Sequence, residues 1–562
     1  MALVLFNGLI HTLDSALPRA TALAIQGDRV LAAGSDDEIR ALAGPQSQII
    51  NLNGRTIIPG LTDSHLHFEW YSLGLRDVNV RTDTKQEALR RVTERAERTP
   101  KQEWIFGRGW NQSGWGDGSF PTASDLDTAA PYHPVYLIAQ SGHAGWANTL
   151  ALKRVGVADG TPDPPGGEFQ RDASGRLTGI MFEEACWAFR EAMPHETEEE
   201  VAGAMLPAFE NAWKVGLTGV HDFDGVRCFV AYQLLKERGQ LGLRVIKNIP
   251  VAHLEHAIGV GLRSGFGDHW LRIGNVKLFA DGALGPRSAA MYEPYEGEPE
   301  NRGIVISDKE EIYEKASLAA KHGLAMTVHA IGDRANHDLF DVYEKLRQEE
   351  VFFTAEYAEI AEKNAIKALE SSAFSTNTAV NSRSVQPLRH RAEHLQVLHP
   401  DDLGRAARLK IIASMQPIHA TSDMKMVDRY WGARGKNAYT FRTQLESGAT
   451  LAFGSDAPVE SFNPFWGIHA AVTRRRGDGS PGPEGWYPEQ RLTVAEALRG
   501  YTYGPAFAGN MERDLGSLSP GKLADLVVLD RDIFACDPME IRDTQVFGTM
   551  IGGEWKWNEG IE

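Results

Sequence analysis

Two histidines separated by one residue, His65 and His67, carry the first chemical signal in the sequence. They follow a short apolar run, residues 56–61, that is typical of a buried strand. Successive side chains of a strand point to opposite faces, so both imidazoles lie on one face. Two imidazoles side by side at a strand end form half of a metal site. Two half-exposed histidines with no ligand are the alternative at this point.

Four later segments repeat one format, in which an apolar run carries a residue fit for metal binding or proton transfer at or near its end. These residues are Lys277, His329, His394 and Asp456. Solubility or packing does not readily explain such a set, each member of which lies near a predicted strand end. The set favours a two-metal hydrolytic centre. His65 and His67 would hold one cation, and His329 and His394 would hold the other.

Lys277 and Asp456 each have more than one role open to them. A lysine cation is a poor metal ligand, but its carbamate, formed with CO2, is an anion that could bridge two cations. The alternative for Lys277 is an ion pair with Asp281. Zinc prefers imidazole and carboxylate ligands and lowers the pKa of bound water to about 7. Asp456 could be a weak ligand and proton shuttle to the leaving amine, or only a helix or turn cap.

The composition is that of an ordinary soluble globular protein, with 562 residues, 42% hydrophobic and 24% charged. The formal net charge of -17 argues against a nucleic-acid surface. The three cysteines form no CxxC pair, so neither a disulfide framework nor a thiolate zinc site is predicted. We find no signal peptide and no apolar stretch near the ~18 residues of a membrane helix. We expect a cytoplasmic protein with a small-molecule substrate and neither membrane nor nucleic-acid partners. A homodimer is compatible with the sequence but not fixed by it.

The two ends of the chain differ from its middle in predicted secondary structure. Residues 1–57 and 508–562 contain short strands and turns, which predicts one small β domain built from both termini. Residues 58–507 alternate strands with helical patterns, which favours a (β/α)8 barrel with insertions at about 104–176 and 350–387. An open doubly wound sheet is the alternative, but we find no GxGxxG after an early strand.

Other residues are weaker candidates for the site. The predicted substrate-binding residues are Trp110, His143, Asp281 and Arg287. The Trp-rich stretch around Trp110 favours a pocket wall over a nucleic-acid stacking platform, given the acidic charge. A structural loop histidine is an equal interpretation of His143. For His221 and His419 we favour an orienting role over metal ligation.

Seven segments together resemble the metal-dependent amidohydrolase superfamily, and within it the branch that includes N-substituted formamide deformylases. The segments are residues 58–67, 141–148, 276–285, 328–333, 391–394, 454–458 and 516–526. The resemblance implies a distorted (β/α)8 barrel beside a small β-sandwich from both termini. It also implies one or two divalent metals, usually zinc. The family's ligands match His65, His67, the bridging Lys277, His329, His394 and Asp456.

The residues and the resemblance together predict a metal-dependent hydrolase acting on a carbon–nitrogen bond other than a peptide bond. The bond would be an amide, N-acyl or N-formyl bond, attacked by metal-bound hydroxide, with Asp456 moving the proton. An esterase, lactonase or deaminase with the same centre is an open alternative, because the ligands do not reveal the bond attacked. A binding protein on this fold is a further alternative, although an intact ligand set argues against it.

Overall fold

The computed structural model describes residues 2–112, 115, 118–139, 144–350 and 387–561. Within these residues the strands are β1 (Ala2–Phe6), β2 (Leu9–His11), β3 (Arg19–Ala20), β4 (Ala22–Gln26), β5 (Arg29–Gly34), β6 (Gln48–Asn51), β7 (Thr56–Pro59), β8 (Leu61–Leu66), β9 (Val78–Asn79), β10 (Ile105–Trp110), β11 (Val135–Ala139), β12 (Ala144–Ala147), β13 (Gly167–Arg171), β14 (Leu177–Glu183), β15 (Leu217–Asp222), β16 (Arg244–Pro250), β17 (Leu271–Phe279), β18 (Met326–Ala330), β19 (Arg391–His394), β20 (Ile412–Met415), β21 (Leu451–Phe453), β22 (Leu526–Leu529), β23 (Val546–Ile551) and β24 (Glu554–Asn558).

The α-helices of the same residues are α1 (Asp36–Arg40), α2 (Phe68–Gly74), α3 (Lys85–Arg98), α4 (Ala123–Ala129), α5 (Thr149–Val155), α6 (Glu184–Glu191), α7 (Glu198–Trp213), α8 (Val226–Glu237), α9 (Leu254–Gly259), α10 (Lys309–Lys321), α11 (333–350), α12 (Arg405–Arg408), α13 (Pro417–Tyr430), α14 (Phe441–Glu446), α15 (Pro464–Thr473), α16 (Val494–Gly500) and α17 (Tyr503–Ala508). Side chains cap several of them. Asp308, for example, accepts a hydrogen bond from the backbone N–H of Glu311 at the start of α10. None of the described helices has the length and apolar character needed to span a bilayer.

Eight parallel strands form the central sheet, in the order β8, β15, β16, β17, β18, β19, β20 and β21. Strands β15, β19, β20 and β21 are buried along their whole length, as parallel strands covered on both faces must be. Helices α8 to α14 fall between successive strands from β15 to β21. The predicted (β/α)8 barrel is confirmed.

The first and last barrel strands meet at a seam of backbone hydrogen bonds. The Asp456 N–H donates to the His65 carbonyl at 2.7 Å, and the His67 N–H donates to the Ala457 carbonyl at 2.8 Å. The Asp63 carboxylate reinforces this seam, because it accepts the Ser455 hydroxyl at 2.5 Å and the Ser455 N–H at 3.1 Å. Burial outweighs these bonds and raises the pKa of Asp63 to about 7.

Strands from both chain ends form two further sheets, as predicted. One has the order β5-β4-β1-β6, and the other has the order β24-β23-β22-β7-β2-β3. Their apolar faces share one core, to which Leu23 and Ile25 contribute from the first sheet and Val528 and Met550 from the second. The hairpin between β23 and β24 turns at Gly552 and its neighbour, both with positive φ, which glycine adopts without steric cost.

The chain divides into two compact units, residues 1–68 with 206–562, and residues 69–205. The first unit holds the barrel and the terminal sheets. The second holds a six-stranded sheet of order β13-β14-β12-β11-β10-β9 with its own hydrophobic core. The predicted insertion at 104–176 lies inside the second unit, and most of the predicted insertion at 350–387 lies outside the described residues. The domain boundaries that the sequence suggests stay a prediction.

Candidate metal centre

Barrel strands deliver the predicted metal-binding residues to one end of the barrel. His65 lies in β8 and His67 directly after it, Lys277 in β17, His329 in β18 and His394 at the end of β19. Asp456 follows β21 by three residues. All of these positions are at the carboxyl ends of parallel strands, which is where active sites of (β/α)8 barrels are built.

Three of these side chains surround one point. Asp456 Oδ1 lies 3.5 Å from His65 Nε2 and 3.6 Å from His67 Nε2. These distances are long for hydrogen bonds. They suit ligands of one cation, since tetrahedral bonds of about 2.0–2.1 Å place donor atoms roughly 3.3 Å apart. The donor types, two imidazoles and a carboxylate, are those that zinc prefers.

His65 supplies the clearest sign that a ligand belongs here. Its side chain is 1% exposed, and its Nε2 atom has no hydrogen-bond partner among the described residues. A buried polar nitrogen without a partner is costly, and an ion at this point would satisfy it. The residues present therefore fit a divalent metal.

Hydrogen bonds at Nδ1 orient three of the histidines. His65 Nδ1 lies 2.5 Å from Glu393 Oε2, and His67 Nδ1 lies 3.0 Å from Asp224 Oδ1. His394 Nδ1 lies 2.9 Å from Gln416 Oε1. Each oxygen accepts the Nδ1 proton, which leaves the Nε2 lone pair for a metal. Such partners fix the tautomer and ring direction of metal-binding histidines.

Glu393 is held by a buried network of its own. It accepts the Nε–H of Arg391 at 2.6 Å and also the hydroxyl of Thr327. Burial alone would raise the pKa of Glu393, but the charge of Arg391 and the hydrogen bonds outweigh it, so the pKa lies below its ordinary value. Arg391 in turn donates to His221 Nδ1 at 2.8 Å. Glu393 is therefore an anion fixed against His65.

Lys277 has an unusual environment for a lysine. Its side chain is buried, and Nζ lies 4.8 Å from the ring centre of Phe223 and 4.5 Å from that of Phe279. No carboxylate of the described residues, Asp281 included, forms an ion pair with Lys277. Burial lowers the pKa of the Lys277 amine to about 8. A larger share of this amine is therefore neutral than for an exposed lysine.

The histidines differ in charge. Burial holds the pKa of His65 and of His394 well below its usual range, and it lowers the pKa of His329 to about 3. Burial also lowers the pKa of His67, but the hydrogen bond and charge of Asp224 outweigh it and the net shift is upward. Three of the four imidazoles are thus neutral at neutral pH, which metal binding requires.

His329 is near the centre but turned toward a backbone oxygen. Its ring centre is 4.5 Å from that of His394. Its Nε2 atom lies 3.0 Å from the Gly282 carbonyl and 3.7 Å from Asp281 Oδ1. A metal-binding role for His329 stays a prediction.

Two predicted substrate-binding residues lie near the barrel mouth but are committed to other contacts. The Asp281 carboxylate accepts the backbone N–H groups of Gly332 at 2.8 Å, Ala290 at 2.9 Å and Ile331 at 3.0 Å. Burial nevertheless raises the pKa of Asp281 to about 7. Arg287 pairs with Glu298 and stacks over the Tyr430 ring at 5.4 Å. Asp281 thus pins the loops that follow β17 and β18.

The other two predicted substrate-binding residues fall outside the barrel unit or outside the described residues. Trp110 ends strand β10 of the 69–205 unit, is fully buried, and donates its indole N–H to the Leu137 carbonyl at 2.9 Å. Its ring centre is 6.2 Å from that of Trp146 and 6.4 Å from that of Trp115. The Trp-rich stretch is therefore partly a packed core. His143 lies outside the described residues, and substrate contact by either residue stays a prediction.

Our sequence reasoning did not find several residues of the site: Phe223, Asp224, Glu393 and Gln416. Arg391 and Glu393 alternate with Ala392 in β19, so their shared face is a signal that strand periodicity offers. The other three lie in loops beyond strand ends, where periodicity gives no direction. His221, favoured as an orienting residue, contacts Arg391 and no candidate ligand.

A further acidic group beside the centre is already neutralised. Asp222, Asp224 and Cys228 have side-chain atoms close enough to hold a cation. The ammonium group of Lys247, however, lies 2.9 Å from Asp222 Oδ1 and is 2% exposed. A lysine cation therefore occupies the position that a metal would need.

The fold has counterparts among solved structures described as metal-dependent hydrolases. A solved structure described as an uncharacterized metal-dependent hydrolase from Pyrococcus horikoshii OT3 superposes with a TM-score of 0.77 and 27% identity, covering 96% of this chain and 99% of that one. The chain belongs to the amidohydrolase family, whose model matches residues 48–373 and 359–555.

Two curated relatives align along nearly the whole chain. Protein LONG AFTER FAR-RED 3 from Arabidopsis thaliana is 32% identical over 567 residues, covering 98% of this chain and 91% of the relative. N-substituted formamide deformylase from Arthrobacter pascens is 28% identical over 568 residues, covering 98% of this chain and 97% of the relative. The predicted family and its deformylase-like resemblance are confirmed.

Proposed function

We propose that this hydrolase cleaves a carbon–nitrogen bond of an amide, with an N-formyl or N-acyl amine as substrate and zinc as its metal. The observation that carries the proposal is the arrangement of His65 Nε2 and His67 Nε2 around Asp456 Oδ1 at 3.5 and 3.6 Å. The similarity to a formamide deformylase supports the choice of bond. The three widely spaced cysteines, which form no CxxC pair, agree with a reducing compartment such as the cytoplasm.

His65, His67 and Asp456 would hold the first ion, with Glu393 and Asp224 fixing the two imidazoles. When bound, a divalent ion would polarise the substrate carbonyl and lower the pKa of a water molecule. Asp456 is placed to accept the proton of that water, because its side chain is 13% exposed. The two neighbouring histidines are held at Nδ1 by Glu393 and Asp224. The same carboxyl group would then donate the proton to the leaving nitrogen.

Lys277 is proposed to carry a carbamate. A carbamate forms when a neutral amine attacks CO2, which makes a new N–C bond and releases one proton. Burial favours the neutral amine, and no ion pair in the described part of the chain holds the charged form. The resulting anion would add a second carboxylate-like ligand to the centre.

Metal analysis and one substitution test the proposal. We expect zinc in the purified protein, and zinc-dependent hydrolysis within a panel of N-formyl and N-acyl amines. Asp456→Asn should lower the turnover by about 10²–10⁴-fold, because the amide keeps its shape but cannot take up a proton. Asp532→Asn, in the loop after β22, is the matched control and should keep full turnover.

The outcomes separate the parts of the proposal. A protein that binds no zinc would refute the metal centre. Zinc-dependent turnover of esters or lactones but of no amide would leave the centre intact and refute the choice of bond. Full amide turnover by Asp456→Asn would refute the proton transfer assigned to this residue.

A further inference from the structure

We propose that Lys247 is a positioning residue of the metal centre, and that it holds His67 and its partner Asp224 in place through a buried ion pair with Asp222. The inference rests on the proposed function in one respect, which is that His67 binds a metal ion. It adds a residue of a neighbouring barrel strand that the predicted ligand set does not contain.

The ion pair lies in a row of residues that crosses three neighbouring barrel strands. Strands β8, β15 and β16 are adjacent in the sheet. Asp222 of β15 is in register with Leu66 of β8 on one side and with Lys247 of β16 on the other. His67 follows Leu66 directly, so the pair lies beside the first candidate ligand.

The Asp222 carboxylate accepts hydrogen bonds from both segments that build the first ion's site. Its Oδ2 atom accepts the backbone N–H of Phe68 at 3.1 Å, which fixes the residue after His67. Its Oδ1 atom accepts the backbone N–H of Asp224 at 3.0 Å. The carboxylate of Asp224 in turn lies 3.0 Å from His67 Nδ1. One carboxyl group therefore fixes the backbone beside the ligand and the backbone of its orienting partner.

Lys247 holds the same loop from the other side. Its Nζ atom lies 2.9 Å from Asp222 Oδ1, and it donates to the carbonyl oxygen of Asp224 and to that of Asn248 at 3.0 Å. Burial would lower the pKa of Lys247, but the charge of Asp222 outweighs it, so the pKa lies above its ordinary value. An ammonium group has three N–H donors, and three oxygens surround this one. Lys247 is therefore a cation with a fixed place.

Stability alone does not account for this ion pair. Lys247 is 2% exposed and Asp222 is fully buried. Taking two charges out of water is costly, and apolar residues of similar size often give an equally stable protein. Apolar residues could not, however, supply the directed hydrogen bonds to Phe68 and Asp224. Direction matters at His67, because the orientation of a ligating ring is set by such partners.

The zinc affinity of the metal-free protein, measured by chelator competition without any substrate, tests this role. Lys247→Met keeps most of the side-chain length and removes the ammonium group. It should lower the zinc affinity by about 10-fold, the lower end of the range for direct partners of metal ligands, because Lys247 acts on His67 through other residues. The absorption of the cobalt-loaded variant should also change, because its band position depends on the ligand geometry.

Arg244→Met is the matched control. Arg244 begins the same strand, β16, is 4% exposed, and forms a buried ion pair with Asp525, which directly precedes β22 of the terminal sheets. Both substitutions leave a buried carboxylate without its cation, so both should lower the denaturation midpoint of the metal-free protein. Only Lys247→Met should also lower the zinc affinity.

A variant without either charge separates positioning from stability. Lys247→Met combined with Asp222→Asn should have a higher denaturation midpoint than Lys247→Met alone, because no unpaired charge stays buried. Each oxygen of Asp222 accepts a separate backbone N–H, and asparagine has only one oxygen. The zinc affinity should therefore stay low while stability returns. The same variant supplies the zinc measurement if Lys247→Met does not fold.

The failures are distinguishable. An unmodified protein that binds no zinc would refute the proposed function itself. Unchanged zinc affinity in Lys247→Met, together with a lowered denaturation midpoint, would make the ion pair structural and refute only this inference. An equal loss of zinc affinity in Arg244→Met would do the same, as would a recovery of zinc affinity along with stability in the double variant.

Discussion

Glu393→Gln is predicted to weaken metal binding although Glu393 itself binds no metal. The carboxylate accepts hydrogen bonds from His65 Nδ1, from Thr327 and from two nitrogens of Arg391. A glutamine of the same shape has one oxygen and one NH2 group, so at least one N–H must face another donor. If the NH2 group faces His65, the imidazole must carry its proton on Nε2 and cannot bind the ion.

The expected magnitude follows from this orienting role. Loss of such a partner lowers metal affinity by about 10–100-fold, which corresponds to about 1.4–2.7 kcal/mol. The same change leaves the Arg391 guanidinium, which is 1% exposed, without its charge partner. Breaking a buried ion pair in this way destabilises a protein by about 3–5 kcal/mol. Both the zinc affinity and the free energy of unfolding of the metal-free protein should therefore fall.

Chelator competition measures the zinc affinity, and denaturant unfolding of the metal-free protein measures stability. Glu350→Gln is the matched control, because Glu350 Oε1 lies 2.6 Å from Nε2 of the buried His390, away from the candidate ligands. It should reduce stability and leave zinc affinity unchanged. Equal zinc affinities for Glu393→Gln and the unmodified protein would refute the reasoning, as would an equal loss in Glu350→Gln.

Two further predictions concern charge. In the metal-free protein, His67 should titrate above its ordinary pKa because the bond and charge of Asp224 outweigh its burial, so Asp224→Asn should move that pKa downward. The pH dependence of the histidine ring chemical shifts measures the pKa of His67. A pKa unaffected by the substitution would contradict the assignment. Asp525→Asn should lower the free energy of unfolding by about 3–5 kcal/mol, since Arg244 Nε and Nη2 lie 2.6 and 2.8 Å from its carboxylate and the pair is buried. Denaturant unfolding checks this, and a loss below about 1 kcal/mol would show that Arg244 finds other partners.

The barrel could be predicted because its strands obey a simple physical rule. Parallel strands covered on both faces need apolar residues along their whole length, and β15, β18 and β20 are almost entirely buried. Strand alternation likewise predicted that His65 and His67 share one face. The strand ends were therefore visible in the sequence, and with them the positions of the candidate ligands.

The rest of the site depends on loops, whose paths have no periodic signature. His419 lies beside His394 only because the chain turns into α13 directly after β20. Asp281, which follows β17, accepts hydrogen bonds from three loop N–H groups. No local sequence pattern predicts these contacts. The Trp-rich stretch around Trp110 predicted a pocket wall, but bulky rings in a Gly-rich segment also pack as a core, as they do here with Trp146.

The seam between the first and last barrel strands ties assembly of the centre to completion of the ring. The backbone carbonyl of His65 accepts the N–H of Asp456, so two candidate ligands from opposite ends of the barrel sequence are held by the bond that closes the cylinder. A chain that has folded all its strands but left this joint open would lack the centre. A bound metal ion would stabilise the hydrogen bonds between the first and last strands. Slower deuterium uptake at the Asp456 amide after zinc addition would show this stabilisation.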